Sequence, residues 1–227
     1  GGVIMVPLMV TFLSLSQHLA HGTSLAVVIF TGLASALAYG WQGSVDLMLA
    51  TALAVGTILG ARVGALWMNR IPADRLRQAF AVLLIVVGLR LVLPMPVGSA
   101  IFVLGTPPGI VVTLLLGLTI GVLSGLMGVG GGIFLVPAMV LLLGIGQQEA
   151  QGISLAVVVP TAIVGGYTHY KKGNVATGFV SWLAIPSVFT ALLGAYIAHL
   201  LPADILKQLF GLLLLFVGAR MAWTKVK

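Results

Sequence analysis

The residues best suited to chemistry form the run Gly125-Leu126-Met127-Gly128-Val129-Gly130-Gly131-Gly132, which opens onto an apolar stretch at 133–143. A glycine-rich turn feeding a helix start aims several free N–H groups at one spot, and the helix dipole adds partial positive charge there. The chemistry this suits is reversible binding of a small anion. The competing reading is close helix packing through small residues. A nucleotide-binding loop is excluded, because no Lys-Ser or Lys-Thr pair follows the glycines. Gly1-Gly2, ahead of the apolar stretch 3–15, repeats the pattern.

Hydroxyls accompany both glycine runs. Ser24 and Ser154 stand close behind Gly22 and Gly152 and read either as helix N-caps or as anion contacts. Thr31 and Thr161 lie two turns further on, where they line a pocket or bond the preceding helical carbonyls. Arg62 is the one cation well inside an apolar span. An intramembrane cation faces a cavity or partner, or snorkels to the nearer interface. Arg90 and Arg220 sit near span ends as interfacial anchors, and His169 reads as an interface residue beside Lys171-Lys172. His18 and His21 lie three apart in what reads as a polar loop. With no third ligand nearby they make no metal site, and His199 has no evident partner. No nucleophile–base pair or metal set appears, so an enzyme is not expected, and neither is a cofactor. Asp46, Asp74, Asp204 and Glu149 all fall between the apolar runs. A proton relay through an intramembrane carboxylate is therefore not expected.

Composition fixes the elements that must position these residues. Hydrophobic residues make up 60% of the 227 and charged residues 7%, against roughly a quarter charged in soluble domains. The chain is an all-α polytopic membrane protein. It has no cysteine, which removes disulfides and thiolate chemistry. The net charge of +7 borders the apolar runs and marks topology rather than nucleic-acid binding. Apolar runs lie at 3–15, 24–39, 45–67, 79–93, 110–127, 133–143, 153–170, 176–200 and 205–223. A bilayer core of about 30 Å takes roughly 20 helical residues. The runs 3–15 and 133–143 are too short to cross, carry Pro7 and Pro137 near their starts, and read as half-helices. The runs 24–39 and 153–170 read as short spans. Pro160 and Pro186, inside long helices, are expected to kink them.

Sliding the chain by 130 residues superimposes 1–97 on 131–227 without a gap, with about a third of positions identical. Gly1-Gly2 falls on Gly131-Gly132, Val6-Pro7 on Val136-Pro137, and Ser24-Leu25-Ala26-Val27-Val28 on Ser154-Leu155-Ala156-Val157-Val158. The chain divides into a first repeat (1–97), a connecting loop (98–109) and a second repeat (110–227). The run 110–127 precedes the second repeat's glycines, and its counterpart is expected upstream of Gly1. Lys and Arg then orient the copies. The joint 69–78, with Arg70, Arg75 and Arg77, is expected in the cytoplasm. So are Lys171-Lys172 and the tail with Lys225 and Lys227. The joint 40–44, without Lys or Arg, is expected outside. Matching joints fall on opposite faces, so two inverted-topology repeats with glycine-broken half-helices are expected. Closure requires 110–143 to enter and return to the outer face, as a re-entrant pair or as two crossings. Such repeats are the architecture of secondary transporters that hold substrate near the midplane.

The chain resembles the TauE/SafE membrane proteins, bacterial exporters of sulfite, sulfoacetate and related anions. The resemblance rests on Gly128-Val129-Gly130-Gly131-Gly132 with Val136-Pro137, on Gly152-Ile153-Ser154-Leu155-Ala156, on His169-Tyr170 with Gly173-Asn174-Val175, and on Gly194-Ala195 with Pro202. It implies a multi-pass inner-membrane exporter of a small sulfur oxyanion working by alternating access, with an anion channel of the same architecture as the alternative. The residues expected to contact the anion are Gly130, Gly131, Gly132, Ser154 and Thr161, their counterparts Gly1, Gly2, Ser24 and Thr31, and Arg62. The lipid bilayer is the other partner expected, no nucleic acid is, and a homodimer stays open.

Overall fold

The computed structural model describes residues 2–67, 73–93, 107–127 and 131–223. Among them every element is a helix: α1 (Gly2–Phe12), α2 (Gln17–Trp41), α3 (Leu47–Trp67), α4 (Ala73–Val92), α5 (Pro107–Met127), α6 (Gly132–Leu142), α7 (Gln147–Lys171), α8 (Thr177–Leu200) and α9 (Ala203–Trp223). Gly1, Gly130, Arg70, most of the connecting loop, Lys225 and Lys227 lie outside the described residues.

The 130-residue shift carries α1 onto α6 and α2 onto α7 end for end, and α3 and α4 start on the starts of α8 and α9. The two 11-residue helices are about 16 Å long at 1.5 Å per residue, half an apolar bilayer core. Among the described residues, five helices are long and apolar enough to cross a membrane: α2, α3, α7, α8 and α9. Their outward faces carry bulky apolar side chains such as Trp182, Phe189 and Phe216, as a lipid-facing surface requires.

Local chemistry explains the joints. Gly43 and Gly173, with φ of +71° and +70°, take the left-handed conformation that ends α2 and α7, which a Cβ would oppose. Asp46 accepts from the amides of Met48 and Leu49 at 2.9 and 3.0 Å, capping α3. Ser16 caps α2 by accepting from Leu19 N at 3.4 Å. That cap corrects two sequence expectations. The expected short spans 24–39 and 153–170 are 25-residue helices, and His18 and His21 lie in the first turns of α2 rather than in a loop. Ser24 and Ser154 are not N-caps: each is two turns inside its helix, and the cap of α7 is Gly146. Pro160 and Pro186 sit within α7 and α8, which are helical on both sides of them.

Equivalent helices pack on each other in reciprocal fashion. Gly32 of α2 faces Val159 of α7, and Gly165 and Gly166 of α7 face Leu25, Ala26 and Ile29 of α2, so the two run antiparallel. In α4 and α9, Gly88 meets Gly211 and Leu215 while Gly218 meets Ala81 and Ile85, again antiparallel. α2 also packs on α8, and its counterpart α7 packs on α3, the counterpart of α8. Reciprocal packing of this kind is what a two-fold relation between the copies would give.

α5 runs parallel to α3: Gly117 lies on Leu53 and Gly121 on Thr57. Gly131 then lies beside Thr57, the middle residue of α3. α6 returns to the end where α3 begins, because α7 starts there, with Gly152 against Ser44. The 110–143 segment therefore enters as one long helix and comes back as a half-length one. The main core forms where these meet, around Leu53, Leu135, Met139, Ile153 and Val157, all fully buried.

Candidate functional site

The site is built from the start of α6. Gly131 is buried with φ −31° and ψ −14°, and its carbonyl accepts from Phe134 N at 3.1 Å and Leu135 N at 3.0 Å. No side chain caps this helix, so the amides of Gly132 and Ile133 occupy positions that have no intrahelical acceptor. Fixed dipoles at a helix start can replace part of an anion's hydration without a full charge.

Two environments meet there. Around Gly131 lie carbon atoms: Thr57 Cγ2, Leu135 Cδ1 and Ile120 Cγ2 stand 3.5 to 3.7 Å from where a Cβ would be. Thr57 turns its hydroxyl away, donating to Leu53 O at 2.6 Å. At Gly132 the surroundings turn polar. Ser154, 4% exposed, donates its hydroxyl to Gly132 O at 3.5 Å, at the outer limit of a hydrogen bond. An anion's oxygen would compete with that bond easily. Gly131 has right-handed backbone geometry, which does not by itself require glycine.

The structure brings Gly131, Gly132 and Ser154 together. The first-copy set is Gly2, which opens α1, and Ser24, buried in α2. These two sets do not share one pocket. In the antiparallel α2–α7 register, Thr31 and Thr161 lie at nearly the same level, and Ser24 and Ser154 are each seven residues away on opposite sides. That separates the serines by about 20 Å along the helix axes. Thr31 bonds Val27 O and Val28 O at 3.3 and 3.4 Å, and Thr161 bonds Val157 O and Val158 O at 3.2 and 2.7 Å. The backbone-bonding reading of the threonines is what the structure shows. Arg62 is exposed, and five residues from Thr57 places it about 140° around α3 from the face that meets Gly131. The structure does not bring it to the glycines.

Sequence reasoning missed Thr57. Its signal was present, since Thr57 pairs with Ser187 in the 130-residue register, a hydroxyl in both copies. It also left His199 without a partner. His199 Nε2 lies 3.2 Å from Ser44 Oγ, its Nδ1 lies 2.8 Å from Ala195 O, and its ring packs 4.5 Å from that of Tyr39. Tyr39 donates its hydroxyl to Gln151 Oε1 at 2.7 Å. These contacts join the two repeats at one end of the bundle. Among the described residues no group of three His, Asp or Glu side chains could hold a metal ion.

A duplicated bundle of membrane-crossing helices with a buried, uncapped half-helix is the architecture of a membrane transporter. The model of the TauE/SafE sulfite exporter family matches residues 113–227, and the chain belongs to that family. It is 26% identical over 251 residues to the probable membrane transporter protein YunE of Bacillus subtilis, covering 98% of this chain and 90% of the relative. A probable membrane transporter protein of Haemophilus influenzae is 28% identical over 240 residues, covering 97% and 89%. YdhB of Bacillus subtilis, also a probable membrane transporter protein, is 26% identical, covering 95% and 92%. No solved structure matches the chain.

Proposed function

We propose that this transporter exports small sulfur-containing oxyanions, sulfite or organosulfonates such as sulfoacetate, across the bacterial inner membrane by alternating access of two inverted repeats. One observation carries the proposal: the uncapped start of α6, buried in the bundle beside Ser154. The family's description as sulfite exporters supports the substrate class. The antiparallel packing of equivalent helices supports the inversion. On this reading Gly131, Gly132 and Ser154 belong to one anion station and Gly2 and Ser24 to its counterpart, with Ser24 about 20 Å from Ser154 along the helices. Gly130 and Gly1, outside the described residues, are proposed to complete the two. Thr31 and Thr161 lie between the two. An anion would pass from one station to the other as the repeats rock, with each station weak enough to release it.

Energetics support export without a proton. Asp46 precedes α3, and Glu149 and Asp204 lie in the first turns of α7 and α9, so these acids sit at helix ends. Leaving a cytoplasm that is negative by 100 mV stabilises each expelled negative charge by about 2.3 kcal/mol. The test is efflux of sulfite and sulfoacetate from proteoliposomes under a set membrane potential with no pH gradient. Saturable, potential-dependent efflux is expected, and Ser154→Ala is expected to weaken anion binding by about 1 kcal/mol, one hydrogen bond. Efflux that vanishes when the pH gradient is abolished at constant potential would overturn the coupling. Non-saturating current would overturn alternating access.

A further inference from the structure

Three glutamines fall in the first two turns of α7, and they are not alike. Gln148 donates its Nε2 to Leu201 O at 3.1 Å, and Gln151 Oε1 accepts from Tyr39 at 2.7 Å. Both are half-buried and tie the helix to its neighbours. Gln147 is the most enclosed, 2% exposed, and neither its Nε2 nor its Oε1 has a hydrogen-bond partner among the described residues. Leu143, Ile145 and Ala150, close to it in the chain, belong to the main apolar core. A buried amide with both ends unmatched is costly, and methionine would fill the same space without that cost. Packing therefore gives no reason for a glutamine here.

Position supplies one. Seven residues make two helical turns less about 20°, so Gln147 shares its face of α7 with Ser154, about 10 Å nearer the Ser44 end. The helix also begins there without a side-chain cap. Gly146 O accepts from Ala150 N at 2.8 Å, and the amides of Gln147 and Gln148 stand at positions with no intrahelical acceptor. Glu149, the acid of this turn, is exposed and about 160° round the helix from Gln147. The first copy keeps the spacing: Gln17, Ser24 and Thr31 match Gln147, Ser154 and Thr161. The two unmatched atoms of Gln147 set the chemistry. Nε2 and the helix-start amides are donors and suit the oxygens of an oxyanion. Oε1 is an acceptor, which an anion bearing acceptors alone leaves unmatched and an anion that also carries an O–H satisfies. We propose that Gln147 is a further contact for the transported anion, between Ser154 and the Ser44 end, and that it selects oxyanions bearing a hydroxyl, such as hydrogensulfite or a hydroxyalkanesulfonate. The Tyr39–Gln151 and Ser44–His199 contacts join the repeats at that end, so the anion reaches Gln147 as they part. The inference rests on the anion reading of Ser154 and adds to it a residue and a selectivity.

Hydroxyethanesulfonate and ethanesulfonate differ only in the hydroxyl, and their binding to the purified protein tests the proposal. The unsubstituted protein is expected to bind the hydroxylated anion roughly five- to tenfold more tightly, the worth of one hydrogen bond. Equal affinities would overturn the proposal, and this comparison needs no variant to fold. Gln147→Met is expected to melt no lower than the parent and to bind both anions equally. A preference that survives in Gln147→Met would also overturn the proposal. Ser154→Ala is expected to weaken both anions alike and leave their ratio unchanged. That arm separates the two readings. Weakening by Ser154→Ala with no hydroxyl preference anywhere would leave the anion station standing and remove Gln147 from it. Binding of neither anion to the unsubstituted protein would overturn both.

Discussion

The α2–α7 pair is pinned at both ends by the same backbone contact and by different chemistry. At one end Gly152 of α7 packs on Ser44 O and Tyr39 Cβ; at the other Gly22 of α2 packs on Asn174 O and His169 Cβ. Each member of one contact is the 130-residue counterpart of a member of the other. Around Ser44 the side chains form a network, Tyr39 to Gln151 and Ser44 to His199. Around Asn174 the counterparts of Tyr39 and Gln151 are His169 and His21. There Thr23 Oγ1 accepts from Ala176 N at 3.0 Å, and Lys171 stands 4.9 Å over the Tyr167 ring. The backbone contact repeats because nothing larger than glycine fits it. The side chains around it are free to differ, so the two ends of one symmetric frame can be held closed with unequal strength. The alternating access proposed above would need that inequality to be adjustable.

The largest effect expected is all-or-none and tests the inversion of the two ends. Single cysteines at Gly43 and Gly173, probed with an impermeant thiol reagent in intact cells, should label from opposite sides of the membrane. Labelling of both from one side breaks the comparison outright.

Next come the pinning glycines. Gly22→Ala and Gly152→Ala should each lower thermal stability by about 1–3 kcal/mol, because the added carbon meets backbone that cannot turn aside. Helix propensity alone would give a gain of about 1 kcal/mol, so the sign decides. Loss at one end and gain at the other would show that the two contacts are not equivalent.

Tyr39→Phe should cost about 1 kcal/mol in the same unfolding measurement, the worth of its bond to Gln151. A cost near zero would mean that the Ser44-end network adds nothing beyond the glycine contact.

The smallest effect belongs to a glycine of another kind. Gly131→Ala should change stability by less than about 0.5 kcal/mol, since its nearest neighbour would stand at an ordinary 3.5 Å and its φ is −31°. A large loss of stability would make Gly131 a packing glycine like Gly22 and Gly152.

Sequence alone determined the membrane class, the duplication and the half-helices, because each depends on quantities that add along the chain. Apolar run length against bilayer thickness marks the spans, and a 130-residue register needs no coordinates to be seen. Charge bias likewise gave an expected orientation for the joints. The tertiary structure alone decided what depends on which residues meet. Ser24 and Ser154 looked like partners in one pocket because they are equivalent in sequence, yet α2 and α7 pack antiparallel and carry these equivalent residues apart along the helices. Their separation follows from that packing, not from any property of serine. Arg62 looked like a site residue because cations are rare in spans, but its helix turns it away from Gly131. Glycine carries no mark of its purpose in a sequence. Gly22 and Gly152 are pressed against a neighbouring carbonyl, Gly43 and Gly173 hold positive φ, and Gly131 has room for a methyl group. Only the packing around each tells them apart, since what a missing side chain permits is set by atoms far away in the chain.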